Sequence, residues 1–307
     1  GLIKDTVHIG REIHFQRHAK NGHQVLFVTC FPCCNGFWNV LNQAIPQHPK
    51  KIVAVSAGAA TACLFSARPG HEGAQWGLHY YAKALAAISS NVDWKNLFSN
   101  QPLFPHYRLY RAALENILAD GFERIQEGPE ILIGLAKTPS YLSPKISVVM
   151  GLLAYELEKK LQRPLHPQSG KFLGFSRLFV SSKTCANINE LIETILQSSC
   201  TPPFTPVMYR DGQAILDGGL IDNVPIDGLT PAAAGEKNQE ALILLTRRYD
   251  LPNPFIQELP GLRLTYIQPS QKVPISSWDY SRHDLMPEAY ELGKSDARQA
   301  ITDGIFG

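Results

Sequence analysis

The sequence predicts an α/β domain on a largely parallel central sheet, and three observations lead there. Apolar runs of five to eight residues alternate with longer segments of helical periodicity, the pattern of strands joined by crossover helices. One run, Lys51 to Val55, passes directly into a small-residue helical segment with Ser56 at the junction. Another, Ala214 to Asp217, ends on an aspartate followed by two glycines. With 307 residues, 44% of them apolar and 18% charged, the chain can bury a large core. No repeat, low-complexity tract or long linker divides it, so residues 1–307 are read as a single domain.

Taken in order, the strands are expected at Gln24 to Cys30, Lys51 to Val55, Glu130 to Ala136, Phe172 to Ser181, Ala214 to Asp217, Glu240 to Thr246 and Leu262 to Gln268. Helices are expected at Gly36 to Ile45, Ala57 to Ala67, Glu72 to Ser89, Tyr107 to Gln126, Pro144 to Leu161, Asn187 to Ser199 and Pro287 to Asp303. The clearest is Asn187 to Ser199, where Ile188, Leu191, Ile192, Ile195 and Leu196 form one apolar face, with Asn187 as cap and Glu190 three residues on. Pro102 to Pro105 and Leu251 to Pro260 read as surface loops, either plain connectors or edges that touch a lipid surface.

Charge excludes some partners. A net charge of +2 with scattered lysines and arginines offers no basic stripe for a phosphate backbone, so nucleic acid is not expected. No apolar run approaches the roughly 20 residues that cross a bilayer. Gly1 to Gly22 carries His8, Arg11, Glu12, His14, Arg17 and His18 at helical intervals without an apolar signal core. Of the cysteines at 30, 33, 34, 63, 185 and 200, three are crowded together, a poor framework for disulfides that suits thiols in a reducing compartment. The expectation is a cytoplasmic protein, at most peripheral to membranes. His14 and His18 have metal-ligand spacing, but no third ligand accompanies them, and neither metal nor cofactor is expected.

Two segments carry chemistry. In Lys51-Ile-Val-Ala-Val-Ser56-Ala-Gly58, a strand turns into a helix at a serine, as in a nucleophile elbow, with Ala54, Ala57 and Gly58 small enough for close approach. The plainer alternative is a serine that only caps the helix. In Asp217-Gly218-Gly219, the aspartate stands at the C-terminal edge of a strand, where open α/β sheets place their sites. The plainer alternative is an Asp-Gly hairpin turn.

Together these segments resemble the patatin-like phospholipase family. The resemblance rests on Ala54-Val-Ser56-Ala-Gly58, on Ser198-Ser-Cys200-Thr-Pro202-Pro203-Phe204-Thr-Pro206-Val207, and on Leu216-Asp217-Gly218-Gly219-Leu-Ile-Asp222-Asn223-Val224-Pro225. It implies a three-layer α/β/α fold and a serine acyl hydrolase acting on lipid acyl esters through a Ser56–Asp217 dyad, without a cofactor. Gly58, Gly218 and Gly219 would support the two turns. The family's glycine-rich oxyanion loop would fall at Cys30 to Gly36, where Cys33, Cys34, Asn35 and Gly36 would supply amides. Only Gly36 of that loop is glycine here, Pro32 cannot donate, and Asn35 stands where a basic residue is common. Three other readings stay open: a Ser-Asp-His hydrolase using His283, a thiol-redox protein using Cys30-Phe-Pro-Cys33, and a non-catalytic or acyl-transferring member of the same fold.

Overall fold

The computed structural model describes residues 24–27, 31–44, 49–86, 88, 90–96, 103–141, 146, 149–151, 153, 165–166, 169–275 and 279–305. His14, His18, Cys30 and Pro102 lie outside them, as does the end of the first expected strand at 28–30.

Nine strands form one sheet. They are β1 (Gln24–Phe27), β2 (Lys51–Val55), β3 (Glu130–Lys137), β4 (Ser176–Ser181), β5 (Met208–Arg210), β6 (Gln213–Asp217), β7 (Gln239–Leu244), β8 (Phe255–Leu259) and β9 (Leu262–Ile267). The order is β5-β6-β3-β2-β1-β7-β9-β8, with β4 also paired to β3. The middle, β3-β2-β1-β7-β9, is parallel throughout, while β4, β5, β6 and β8 join antiparallel. The sheet is thus parallel at its centre and antiparallel at its margins. Two marginal strands depart from expectation. β5 pairs with β6 as a short hairpin through Asp211-Gly212, both at positive φ. β8 lies within the proline-rich stretch read as a loop, and its half-buried and exposed residues alternate as on an edge strand.

The helices are α1 (Phe31–Ala44), α2 (Ala57–Ala67), α3 (His71–Leu85), α4 (His106–Leu118), α5 (Phe122–Glu127), α6 (Ser169–Phe172), α7 (Ile188–Ser198) and α8 (Met286–Thr302). The predicted cap of α7 is present: Asn187 Oδ1 accepts the Glu190 amide at 3.0 Å. Glu190 reaches back one residue further than a capping box requires, accepting the Ala186 amide at 2.7 Å. The single helix expected over Tyr107 to Gln126 is broken between α4 and α5 at Gly121, where a Cβ would collide with Ala67 of α2. Residues 146, 149–151 and 153 are helical; the rest of the helix expected at Pro144 to Leu161 is outside the described residues.

Strand alternation sorts the core into two layers. Ile52, Ala54 and Leu244 face the larger one, with Phe37, Trp38 and Leu41 of α1, Leu64 of α2, Leu114 and Leu118 of α4, Leu191 and Ile195 of α7 and Ala297 of α8. Val53, Ile243, Leu264 and Tyr266 face the other, where the covering residues include Val224 and Leu229. The five described cysteines, Cys33, Cys34, Cys63, Cys185 and Cys200, are buried, and no disulfide joins any of them.

Candidate active site

Because β1, β2 and β3 run in parallel, their C-terminal ends share one edge of the sheet. β2 ends there at Val55, and Ser56 turns the chain into α2 with φ 53° and ψ −135°. That left-handed backbone is rarely adopted by a residue with a side chain. Ser56 stands at the cap position of α2, yet its side chain makes no capping hydrogen bond. The plain helix-cap reading therefore fails: the hydroxyl is directed elsewhere.

Its partner is Asp217. β6 runs antiparallel beside β3 with Leu135 opposite Asp217, which brings the end of β6 towards the edge where β2 stops. The Ser56 side chain lies against the Asp217 carboxyl and favours its charged form. The carboxyl accepts the Gly219 amide at 2.8 Å and has the Thr201 side chain beside it. Burial pushes this carboxyl up to about 6, against the opposing pull of Ser56, the Gly219 amide and Thr201, which favour the charged form. Asp217-Gly218-Gly219 is not a hairpin turn; it enters a single 3-10 turn, Gly218–Leu220. Gly218 is required by space, since a Cβ there would overlap the Gly134 carbonyl oxygen and lie 2.9 Å from Val55 Cγ1. Gly219 is crowded chiefly by the Asn223 side chain. Gly58 is buried in the first turn of α2.

The four residues expected to supply oxyanion amides occupy different situations. Cys33 and Cys34 lie in the first turn of α1, the part of a helix whose N–H groups point out of its end. Asn35 and Gly36 lie further in, where helical geometry gives each amide to the carbonyl four residues back. The buried Asn35 side chain faces α3, its Nδ2 donating to the Ala74 carbonyl at 2.9 Å. Gly36 packs against α8, and a Cβ on it would overlap the Tyr290 carbonyl oxygen. The glycine that survives in this loop thus has a packing role in the α1–α8 crossing.

His283 lies in the 3-10 stretch Tyr280–Leu285 with a buried Nδ1 that has no hydrogen-bond partner. None of the three groups that hold the Asp217 carboxyl towards its charged form is a histidine. Two residues whose roles sequence reasoning missed are close by. Ser198 Oγ accepts the Ser56 amide at 2.8 Å, and Thr201 reaches Asp217. Both lie in the small-residue and proline block, whose sequence marked the segment without revealing what its hydroxyls touch.

A serine at a strand-to-helix turn thus meets an aspartate at the shared edge of an α/β sheet. The patatin-like phospholipase family matches residues 35–230, more than half of the chain. The protein belongs to that family, which places it among lipid acyl hydrolases with the α/β patatin fold. Among solved structures, it is similar to VipD from Legionella pneumophila, with a TM-score of 0.41 at 9% identity over 91% of this chain and 67% of that one. No curated protein matches it.

Proposed function

We propose that the protein cleaves acyl esters of lipids in two steps, with Ser56 as nucleophile and Asp217 as its base. The approach of the Ser56 side chain to the Asp217 carboxyl carries this reading. Asp217 takes the hydroxyl proton as Ser56 Oγ attacks the ester carbonyl carbon. The tetrahedral oxyanion collapses, the acyl group stays on Ser56, and the alcohol leaves with the proton returned by Asp217. Water then attacks the acyl-enzyme, again giving its proton to Asp217, and the fatty acid leaves as Ser56 recovers its hydrogen. A carboxyl lifted to about 6 is a stronger base than an ordinary aspartate and is still ionised at neutral pH. The first turn of α1, with Cys33 and Cys34, begins four residues after β1 ends at the sheet edge where β2 also stops, and would supply the positive end of a helix for the oxyanion, with Asn35 and Gly36 supporting that turn from within the helix.

Contact with a lipid surface belongs to the same reading. Tyr141, Val149, Leu153 and Phe172 are exposed apolar side chains, and Gly151 of the same stretch lies close to Leu220, three residues after Asp217. Among the described residues, no helix is long and apolar enough to cross a membrane.

The test is covalent labelling by a fluorophosphonate, combined with product analysis on phospholipids, acylglycerols and short esters. The expected result is labelling that is lost in Ser56→Ala, ester cleavage that falls by at least about 100-fold in Asp217→Asn, and near-normal activity in His283→Ala. An unlabelled wild-type chain points to a non-catalytic member of the fold. Loss of activity in His283→Ala points to a triad.

A further inference from the structure

The short stretch from Ser198 to Thr201 touches both members of the Ser56–Asp217 pair. Ser198, at the C-terminal end of α7, is fully buried. Its Oγ accepts the Ser56 amide at 2.8 Å and donates to the Gly134 carbonyl at 2.7 Å. Gly134 lies opposite Val55 in the β2–β3 pairing, so this hydroxyl bridges the two strands at the point where the elbow leaves the sheet. A backbone at φ 53° turns its N–H away from the strand's own ladder. A buried amide in that position requires another acceptor. Two residues on, the Cys200 carbonyl accepts the Asp217 amide at 2.8 Å. The next residue, Thr201, has its own amide fixed by Thr205 Oγ1 at 2.8 Å, and its hydroxyl donates to the Ser199 carbonyl at 3.4 Å while lying beside the Asp217 carboxyl.

We propose that Ser198 and Thr201 are the positioning residues of the dyad, Ser198 holding the nucleophile's strained backbone and Thr201 holding the base's carboxylate. The inference rests on the dyad reading above and adds a division of labour to it. Ser198 never touches the Ser56 hydroxyl; it fixes the peptide from which that hydroxyl projects. Thr201 has one hydroxyl proton and two acceptors in reach, the Asp217 carboxyl and the Ser199 carbonyl, the latter at 3.4 Å. An ionised carboxylate is the stronger acceptor, so the proton goes to Asp217 when that group is ready to act as base. When Asp217 has taken the proton from Ser56, the Thr201 hydroxyl is free to turn to the Ser199 carbonyl. Thr201 therefore favours the charged, base-competent form of Asp217.

The two roles have separable kinetic signatures. The full chain is assayed on a short p-nitrophenyl ester across pH 4–9, with kcat and KM resolved, for wild type, Ser198→Ala, Thr201→Val and Thr201→Ser. Thermal unfolding of each variant confirms that it is folded at the assay temperature. The expected result for Thr201→Val is an acid limb moved up by about half to one pH unit, because a hydrogen bond to the charged form is lost. Thr201→Ser, which keeps the hydroxyl, returns the limb to its wild-type place. Ser198→Ala lowers the plateau kcat by about tenfold or more at little-changed KM and leaves the limb where it was. A folded Thr201→Val with an unmoved limb, or a folded Ser198→Ala with wild-type kcat, overturns the inference while the dyad stands. A wild-type chain that neither cleaves esters nor is labelled at Ser56 overturns the dyad reading, and this inference with it.

Discussion

Gly36 and Gly293 face each other's helices across the α1–α8 crossing. A Cβ on Gly36 would overlap the Tyr290 carbonyl oxygen, and a Cβ on Gly293 would overlap the Cys33 carbonyl oxygen. The obstacle in both cases is backbone, which cannot rotate aside. The crossing fixes the N-terminal turn of α1, where Cys33 and Cys34 lie.

Gly293→Ala is expected to destabilise the protein by about 1–3 kcal/mol through overpacking, despite alanine's better helix propensity. Because the Cys33 carbonyl must move, kcat is also expected to fall while KM changes little. Urea unfolding and ester hydrolysis measured together check this. A variant as stable as wild type would mean the two helices do not approach so closely.

The raised carboxyl of Asp217 links activity and stability to pH in opposite directions. Activity needs the ionised form, so the rate should fall on the acid side with an apparent pKa near 6. Stability runs the other way. A carboxyl whose folded pKa is raised from 3.8 to about 6 imposes no penalty below pH 3.8, an increasing one between 3.8 and 6, and its full penalty above 6. Asp217→Asn is therefore expected to be inactive yet more stable than wild type at pH 7, by about 1–3 kcal/mol, with the advantage gone near pH 4. Denaturant titrations at pH 4, 5, 6 and 7 measure it. A constant difference across that range would show that the carboxyl titrates as it does in the unfolded chain.

The two glycines after Asp217 should not be equivalent. At Gly218, a methyl group meets the Gly134 carbonyl and Val55, whereas at Gly219 its nearest neighbour is the end of the Asn223 side chain. Gly218→Ala is expected to cost about 2–3 kcal/mol and to separate β6 from the elbow, with loss of Ser56 labelling. Gly219→Ala should cost less than Gly218→Ala and keep more of the labelling, since its nearest obstacles are side-chain ends, Asn223 Oδ1 and, at 3.0 Å, Asp217 Oδ1, rather than backbone. Equal effects on both would contradict the close packing of Gly218 against β3.

What could be read in advance was local. Ser56 and Asp217 each end an apolar strand beside small residues, and α7 shows its cap and its apolar face within a dozen residues. What escaped depends on distant partners. Nothing around Ser198 in the sequence indicates that its hydroxyl meets an amide 142 positions away. The helix α1 was expected to begin at Gly36, because Cys-Phe-Pro-Cys-Cys-Asn resembles a loop; in the structure Pro32 lies in the first turn, where its missing N–H costs nothing. β8 was obscured by its flanking prolines, although Phe-Ile-Gln-Glu-Leu pairs fully along β9 as an edge strand.

The strain at Ser56 yields the last prediction. A residue with a Cβ at φ 53° and ψ −135° carries of order 1–3 kcal/mol of conformational cost, and the Ser198 hydrogen bond helps hold it there. Glycine adopts that backbone without steric penalty, although it is more flexible in the unfolded chain. Ser56→Gly is thus expected to gain about 1 kcal/mol over Ser56→Ala, both variants being unlabelled and inactive, because alanine keeps the strained Cβ and glycine removes it. Chemical denaturation of the two variants at the same pH decides the matter. If the alanine variant is the more stable, the elbow backbone has relaxed out of the left-handed region, and the nucleophile is held there by something other than the local packing at Ser198 and Gly134.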